Sequence, residues 1–141
     1  MAALTGSEVI VDDPKDRRRW PRVAERNRIS LVVTSSPNAP TVEGRRYYCW
    51  TEDVSYGGIR FCVHSHVPLG SVMKMDVDTA DSGYGSFLHV GRVVWEQEFE
   101  DGGLVSRWLG VEITETLGGQ ERTQLWGEMI RQLAALPDAS M

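Results

Sequence analysis

The chain has 141 residues, 41% hydrophobic and 25% charged, with a formal net charge of −5, which suits one globular domain with a real core and is short for two. No stretch reaches the roughly 18 consecutive apolar residues of a membrane-spanning helix, and the N-terminus carries neither a secretion signal nor a lipidation box, so a cytoplasmic protein without membrane insertion is expected. The acidic balance argues against a general DNA or RNA binder, whose surface needs a positive field.

Residues 1–16 read as a disordered N-terminal tail. From Lys15 to Arg28 the chain carries seven basic residues against Asp16 and Glu25, a local charge of +5 that leaves −10 for everything else. An Arg-rich arm on an acidic domain points to a local site for a small anion. Pro21 lacks an amide donor and pushes Trp20 toward extended geometry, so the arm is not a helix. Ile29, Leu31 and Val33 alternate with polar positions and predict a first strand, ended by the Pro- and Ser-containing loop 35–40.

Tyr47 to Thr51 and Ile59 to Val63 are rich in aromatic and β-favouring residues and predict a hairpin around Asp53, Ser55, Gly57 and Gly58. Further strands are expected over Val72 to Val77, over Phe87 to Phe99 with Val93 and Trp95 on one face, and over Val105 to Thr114 with Leu109, Val111 and Ile113 on one side. Six closely spaced antiparallel strands imply a mostly β chain built as a small barrel or sandwich. Leu125, Trp126, Met129, Ile130, Leu133 and Leu136 then fall at helical spacing, and this apolar stripe must bury on the barrel or in a dimer. Monomer and homodimer both stay open. The expected division is a tail over 1–16, a β domain with its arm over 17–115, and a C-terminal amphipathic helix over 116–136.

Hydrolytic, phosphate-loop and metal readings find little support. H-E-x-x-H, G-x-S-x-G and Walker A sequences are absent. His64 and His66 would share one side of a strand, but no acidic or Cys partner is spaced to join them on a metal, and His89 reads as a packed, hydrogen-bonded residue. Cys49 and Cys62 lack a C-x-x-C spacing and read as buried thiols rather than a disulfide or zinc site. No catalytic residue, metal or cofactor is therefore assigned, and the chain is not expected to be an enzyme.

The informative feature is Arg18-x-x-x-Arg22 followed, 31 residues after Arg22, by Asp53-x-Ser55-x-x-Gly58. Residues four apart share a face in an extended chain and nearly so in a helix, so the two guanidiniums can converge on one ligand. Such planar forks bind phosphate oxygens, read the O6/N7 edge of guanine and stack on a purine. A carboxylate only accepts, and guanine presents N1–H and N2–H donors, so Asp53 facing guanine would discriminate against adenine. Gly57 and Gly58 offer positive φ and close backbone approach.

In this order around a six-stranded β domain, these residues resemble the PilZ family of bacterial cyclic di-GMP receptors, whose paired motifs are R-x-x-x-R and, after roughly two to three dozen residues, (D/N)-x-S-x-x-G. Gly91-Arg92-Val93-Val94-Trp95 resembles the family's central strand and Leu109-Gly110-Val111-Glu112-Ile113 its last one, although an aromatic is frequent where Ile113 stands and the loop around Asp81 to Ser86 matches no pattern. The resemblance covers about residues 17–115. It implies a six-stranded antiparallel PilZ-type β-barrel with a C-terminal helix. It also implies that Arg18 and Arg22 grip the phosphates and guanine of cyclic di-GMP while Asp53, Ser55 and Gly58 receive a guanine. An arginine just before the first motif, here Arg17, is associated in the family with a stacked ligand dimer, which implies two ligands per chain.

The expected mechanism is order from disorder: a dianionic ligand folds the Arg-rich arm across the barrel and changes a surface read by an unidentified downstream protein. The length leaves no room for a fused output domain, so a second polypeptide is the expected recipient. No cyclase motif, E-A-L or H-D-x-G-Y-P sequence occurs, so turnover of the messenger is not expected. The alternative is a PilZ-like protein-interaction adaptor that binds no nucleotide. A barrel for single-stranded nucleic acid would need Tyr47, Tyr48, Trp50 and Trp95 as an exposed platform, whereas core packing is the expectation for them.

Overall fold

The computed structural model describes residues 22–37, 39–80 and 83–135. Six strands form, β1 (Arg28–Ser35), β2 (Arg46–Val54), β3 (Gly58–Val63), β4 (Val72–Asp78), β5 (Ser86–Asp101) and β6 (Leu104–Thr116), followed by helix α1 (Gly119–Ala135). They close into a barrel in the order β1-β2-β3-β6-β5-β4, every pairing antiparallel. The expected hairpin is present, but β2 runs on to Val54, so Asp53 belongs to the strand, and Gly58 opens β3.

Alternation builds the interior. Ile29, Leu31 and Val33 point inward from β1, Ile59, Phe61 and Val63 from β3, and Met73, Met75 and Val77 from β4, all nearly inaccessible to water. Gly91 is required at the tightest point of β5, because a Cβ there would lie 2.5 Å from Val111 Cγ1 and 2.7 Å from Met75 Cε. The parity of β5 changes at a register shift between Val93 and Trp95. Val93 is buried, while Trp95 is only partly buried and its Cβ lies over Gly110, so the two do not share one face as the sequence pattern predicts.

Tyr48 and Trp50 also depart from expectation. They are 77% and 48% exposed, on the outer side of β2, and the guanidinium carbons of Arg26 and Arg28 lie 5.8 and 5.5 Å from the centroid of the Trp50 ring. Alternation fixes which residues share a side of β2, and the inward side is held by Tyr47, Cys49 and Thr51.

Helix α1 packs on its own barrel. Trp126, Met129 and Ile130 are buried, and the Trp126 ring meets Phe87 and His89 edge-on with centroids 5.0 and 4.4 Å away. Gly118 and Gly119, with φ of 97° and 85°, reverse the chain from β6 into the helix. Leu136 lies outside the described residues. No helix among the described residues is long and apolar enough to cross a membrane.

Candidate functional site

The segment before β1 is held against β2 by backbone and hydroxyl hydrogen bonds. Val23 and Val54 form a bridge in which each amide donates to the other's carbonyl, at 2.8 and 2.9 Å. The buried Thr51 hydroxyl donates to the carbonyl of Glu25 at 2.6 Å and accepts from the amide of Asn27 at 2.8 Å, while the Thr51 amide donates to the Asn27 carbonyl. Residues 23–27 thus lie along the strand that carries Asp53. Arg22 precedes this bridge and is exposed, while Ser55 follows Val54 in the turn after β2.

The turn after β2 is closed by the Ser55 amide donating to the Gly58 carbonyl at 2.8 Å, with the Ser55 hydroxyl 3.3 Å from the same oxygen. Gly57 and Gly58 do not use positive φ. Gly58 is required for close approach, since a Cβ would sit 2.9 Å from the Val111 carbonyl oxygen of the neighbouring strand. Asp53 faces its cross-strand partner Arg60, whose Nη2 donates to Oδ2 at 2.9 Å; the two side chains are 12–13% exposed.

Asp53, Ser55, Gly58 and Arg60 line a cleft of about 760 Å³ together with residues 110–116 of the neighbouring strand β6 and Thr123 of α1. That volume is in the range of small-molecule sites. Its protein charges are mixed, with Glu112 and Glu115 joining Asp53, and Arg92 ion-paired to Glu112 at 3.1 Å.

The family model for the PilZ domain matches residues 16–131. The chain belongs to the PilZ domain family. Solved structures share its fold at low identity. The PilZ domain of YcgR from Escherichia coli with c-di-GMP is 14% identical at a TM-score of 0.58, over 84% of this chain and 92% of that one. The MrkH–c-di-GMP complex of K. pneumonia is 16% identical at a TM-score of 0.63, over 84% and 52%. The inhibitor of motility MotI from Bacillus subtilis is 16% identical at 0.58, over 83% and 51%. The chain therefore spans about half the length of the MotI and MrkH chains. No curated protein sequence matches it.

In this PilZ domain, Asp53, Ser55 and Gly58 gather in one cleft, with Arg22 just beyond the bridge beside it. Arg17 and Arg18 lie outside the described residues. Arg60, Thr51 and Val23 escape motif reading because their roles depend on pairing across strands. The one available signal for Arg60 is its position two residues beyond the motif glycine, on the outward side of a strand.

The remaining chemistry-bearing side chains are structurally engaged. His64 and His66 lie past the end of β3 rather than on it, and they diverge: His64 Nδ1 pairs with the Ser106 hydroxyl at 2.9 Å and His66 Nδ1 with Glu96 Oε2 at 3.0 Å. No group of three or more metal-ligating side chains occurs among the described residues. Both cysteines are free and only partly buried, Cys49 on the inward side of β2 and Cys62 on the outward side of β3. Burial, with a smaller contribution from Cys62, pushes the Cys49 thiol up to about 12, and burial also raises Cys62, so both stay protonated and unreactive at neutral pH.

Proposed function

We propose that this PilZ domain is a cyclic di-GMP receptor that relays the messenger to a protein partner. Arg18 and Arg22 take the phosphates and one guanine, and Asp53, Ser55 and Gly58 receive a guanine in the cleft. Arg17 brings a second, stacked ligand, giving two per chain. Ligand binding orders residues 17–22 of the arm across the barrel, and the changed surface is read by the partner. No catalytic role is assigned to any residue.

The observation that supports this reading is the Val23–Val54 bridge, which sets Arg22, the residue just before it, next to the end of the strand bearing Asp53. Electrostatics supports it as well. The cleft's own charges include Asp53, Glu112 and Glu115 against Arg60, so a ligand with two phosphates draws its counter-charge from the arm. The complexes of YcgR and MrkH with c-di-GMP show that the shared fold accommodates this ligand class in those proteins.

Calorimetric titration of Arg22→Ala and Asp53→Ala tests the assignment. Each is expected to abolish binding while leaving the melting transition cooperative. Affinity equal to that of the unaltered chain in either variant would remove that residue from the site, whereas absence of binding by the unaltered chain itself would leave the nucleotide-free adaptor as the better reading.

A further inference from the structure

We propose that Arg60 is a specificity determinant of the cleft, reading with Asp53 the 6-oxo edge of guanine; the inference rests on the cyclic di-GMP reading above. Arg60 belongs to neither motif. It is nevertheless the cross-strand partner of Asp53, bonded to it at 2.9 Å, and lines the same cleft. Its guanidinium also lies over the Trp108 ring, 5.3 Å from the centroid. Held by a carboxylate and an aromatic face, the planar fork is fixed before any ligand arrives.

Two further facts make it more than a brace for Asp53. Arg60 Nε is buried, so the donors open to a ligand are the terminal guanidinium N–H groups beyond the one given to Asp53, on a side chain that is 12% exposed and lines the cleft. A carboxylate has about four lone-pair sites, so Asp53 keeps acceptor capacity beside the Arg60 bond. The pair therefore presents a donor next to an acceptor at hydrogen-bond spacing. Along its pairing edge guanine carries the O6 acceptor, then the N1–H and N2–H donors, which is the complementary order. Adenine carries an amino donor and then a bare N1 acceptor, setting donor against donor and acceptor against acceptor.

The test is titration of the full chain and its Arg60→Met and Arg60→Lys variants with cyclic di-GMP and with mixed cyclic GMP–AMP, alongside thermal melts. The unaltered chain is expected to prefer cyclic di-GMP by about tenfold or more, and Arg60→Met to lose most of that preference, because an unmet polar group at the recognition edge discriminates at this scale. Arg60→Lys keeps the charge without the fork and is expected to lie between the two. A general structural defect weakens both ligands alike and leaves the ratio unchanged. An unchanged ratio in a folded variant, with the unaltered chain binding, overturns the role of Arg60 alone. If Arg60→Met does not fold, Arg60→Lys decides by the same ratio. Absence of cyclic di-GMP binding by the unaltered chain removes the receptor reading and this inference with it.

Discussion

The indole Nε1 of Trp126 donates to the carbonyl oxygen of Tyr56 at 3.1 Å, which ties the helix closing the barrel to the turn that carries Ser55 and Gly58. The contact is reinforced by close packing, since a Cβ on Gly127 would lie 3.1 Å from the Tyr56 ring. The helix therefore has two tasks, covering Phe87 and His89 and holding the turn in register with β6.

Trp126→Ala removes both. With the ring fully buried, the loss of packing is expected to cost about 3–5 kcal/mol, and the freed turn is expected to weaken ligand binding as well. Trp126→Phe keeps much of the packing but not the indole donor, at an expected cost of about 1–2 kcal/mol. Urea unfolding of the three proteins measures the difference.

Gly58→Ala separates close approach from flexibility. The added methyl meets a backbone carbonyl at 2.9 Å, a partner that cannot rotate away, so a cost of about 1–3 kcal/mol is expected from overpacking. The β3–β6 pairing from Gly58 opposite Glu112 is where the strain falls. Denaturant midpoints check it, with Gly44→Ala, at a surface position of positive φ facing open space, as a comparison that probes backbone conformation alone.

Acid destabilisation has a named source. His89 is wholly inaccessible, its Nδ1 is hydrogen-bonded to the Thr116 hydroxyl at 2.9 Å, and its Nε2 has no partner among the described residues. Burial pushes its pKa down from 6.5 to about 4. Below pH 6.5 the unfolded chain binds a proton that the folded chain refuses, so stability falls as pH drops from about 6.5 to about 4, by on the order of 3 kcal/mol in all. Above pH 6.5 this group contributes no slope. Unfolding free energies measured between pH 7.5 and 4 are expected to fall less steeply in His89→Leu than in the unaltered chain.

Val23→Pro tests the docking of the arm. Proline deletes the amide that donates to Val54 and leaves that carbonyl unmet. Val23 is also a buried core residue paired with the last residue of β2, so a drop in melting temperature is expected together with at least about a tenfold loss of cyclic di-GMP affinity, as the segment following Arg22 is no longer held to β2.

Much of the barrel was legible because its strands alternate cleanly. Ile29, Leu31 and Val33, or Met73, Met75 and Val77, place one face inward without ambiguity. The C-terminal helix was legible for the same reason at a different period, although only its packing against Phe87 and His89 decided between the barrel and a dimer. Reading failed where a register shift changes parity, as at Val93 and Trp95, and where an aromatic residue that favours a strand faces outward, as at Tyr48 and Trp50. Asp53, Ser55 and Gly58 could be named from local spacing. Arg60 could not, because its importance is a contact across two strands, and neither could the clamp by which Thr51 holds Asn27 and Glu25.

The most direct test is calorimetric titration of the purified chain with cyclic di-GMP, with GTP and cyclic di-AMP as controls. The account predicts saturable binding of two ligands per chain, reduced to one in Arg17→Ala, and no response to the controls. The absence of both heat and any shift in melting temperature at high cyclic di-GMP would contradict it.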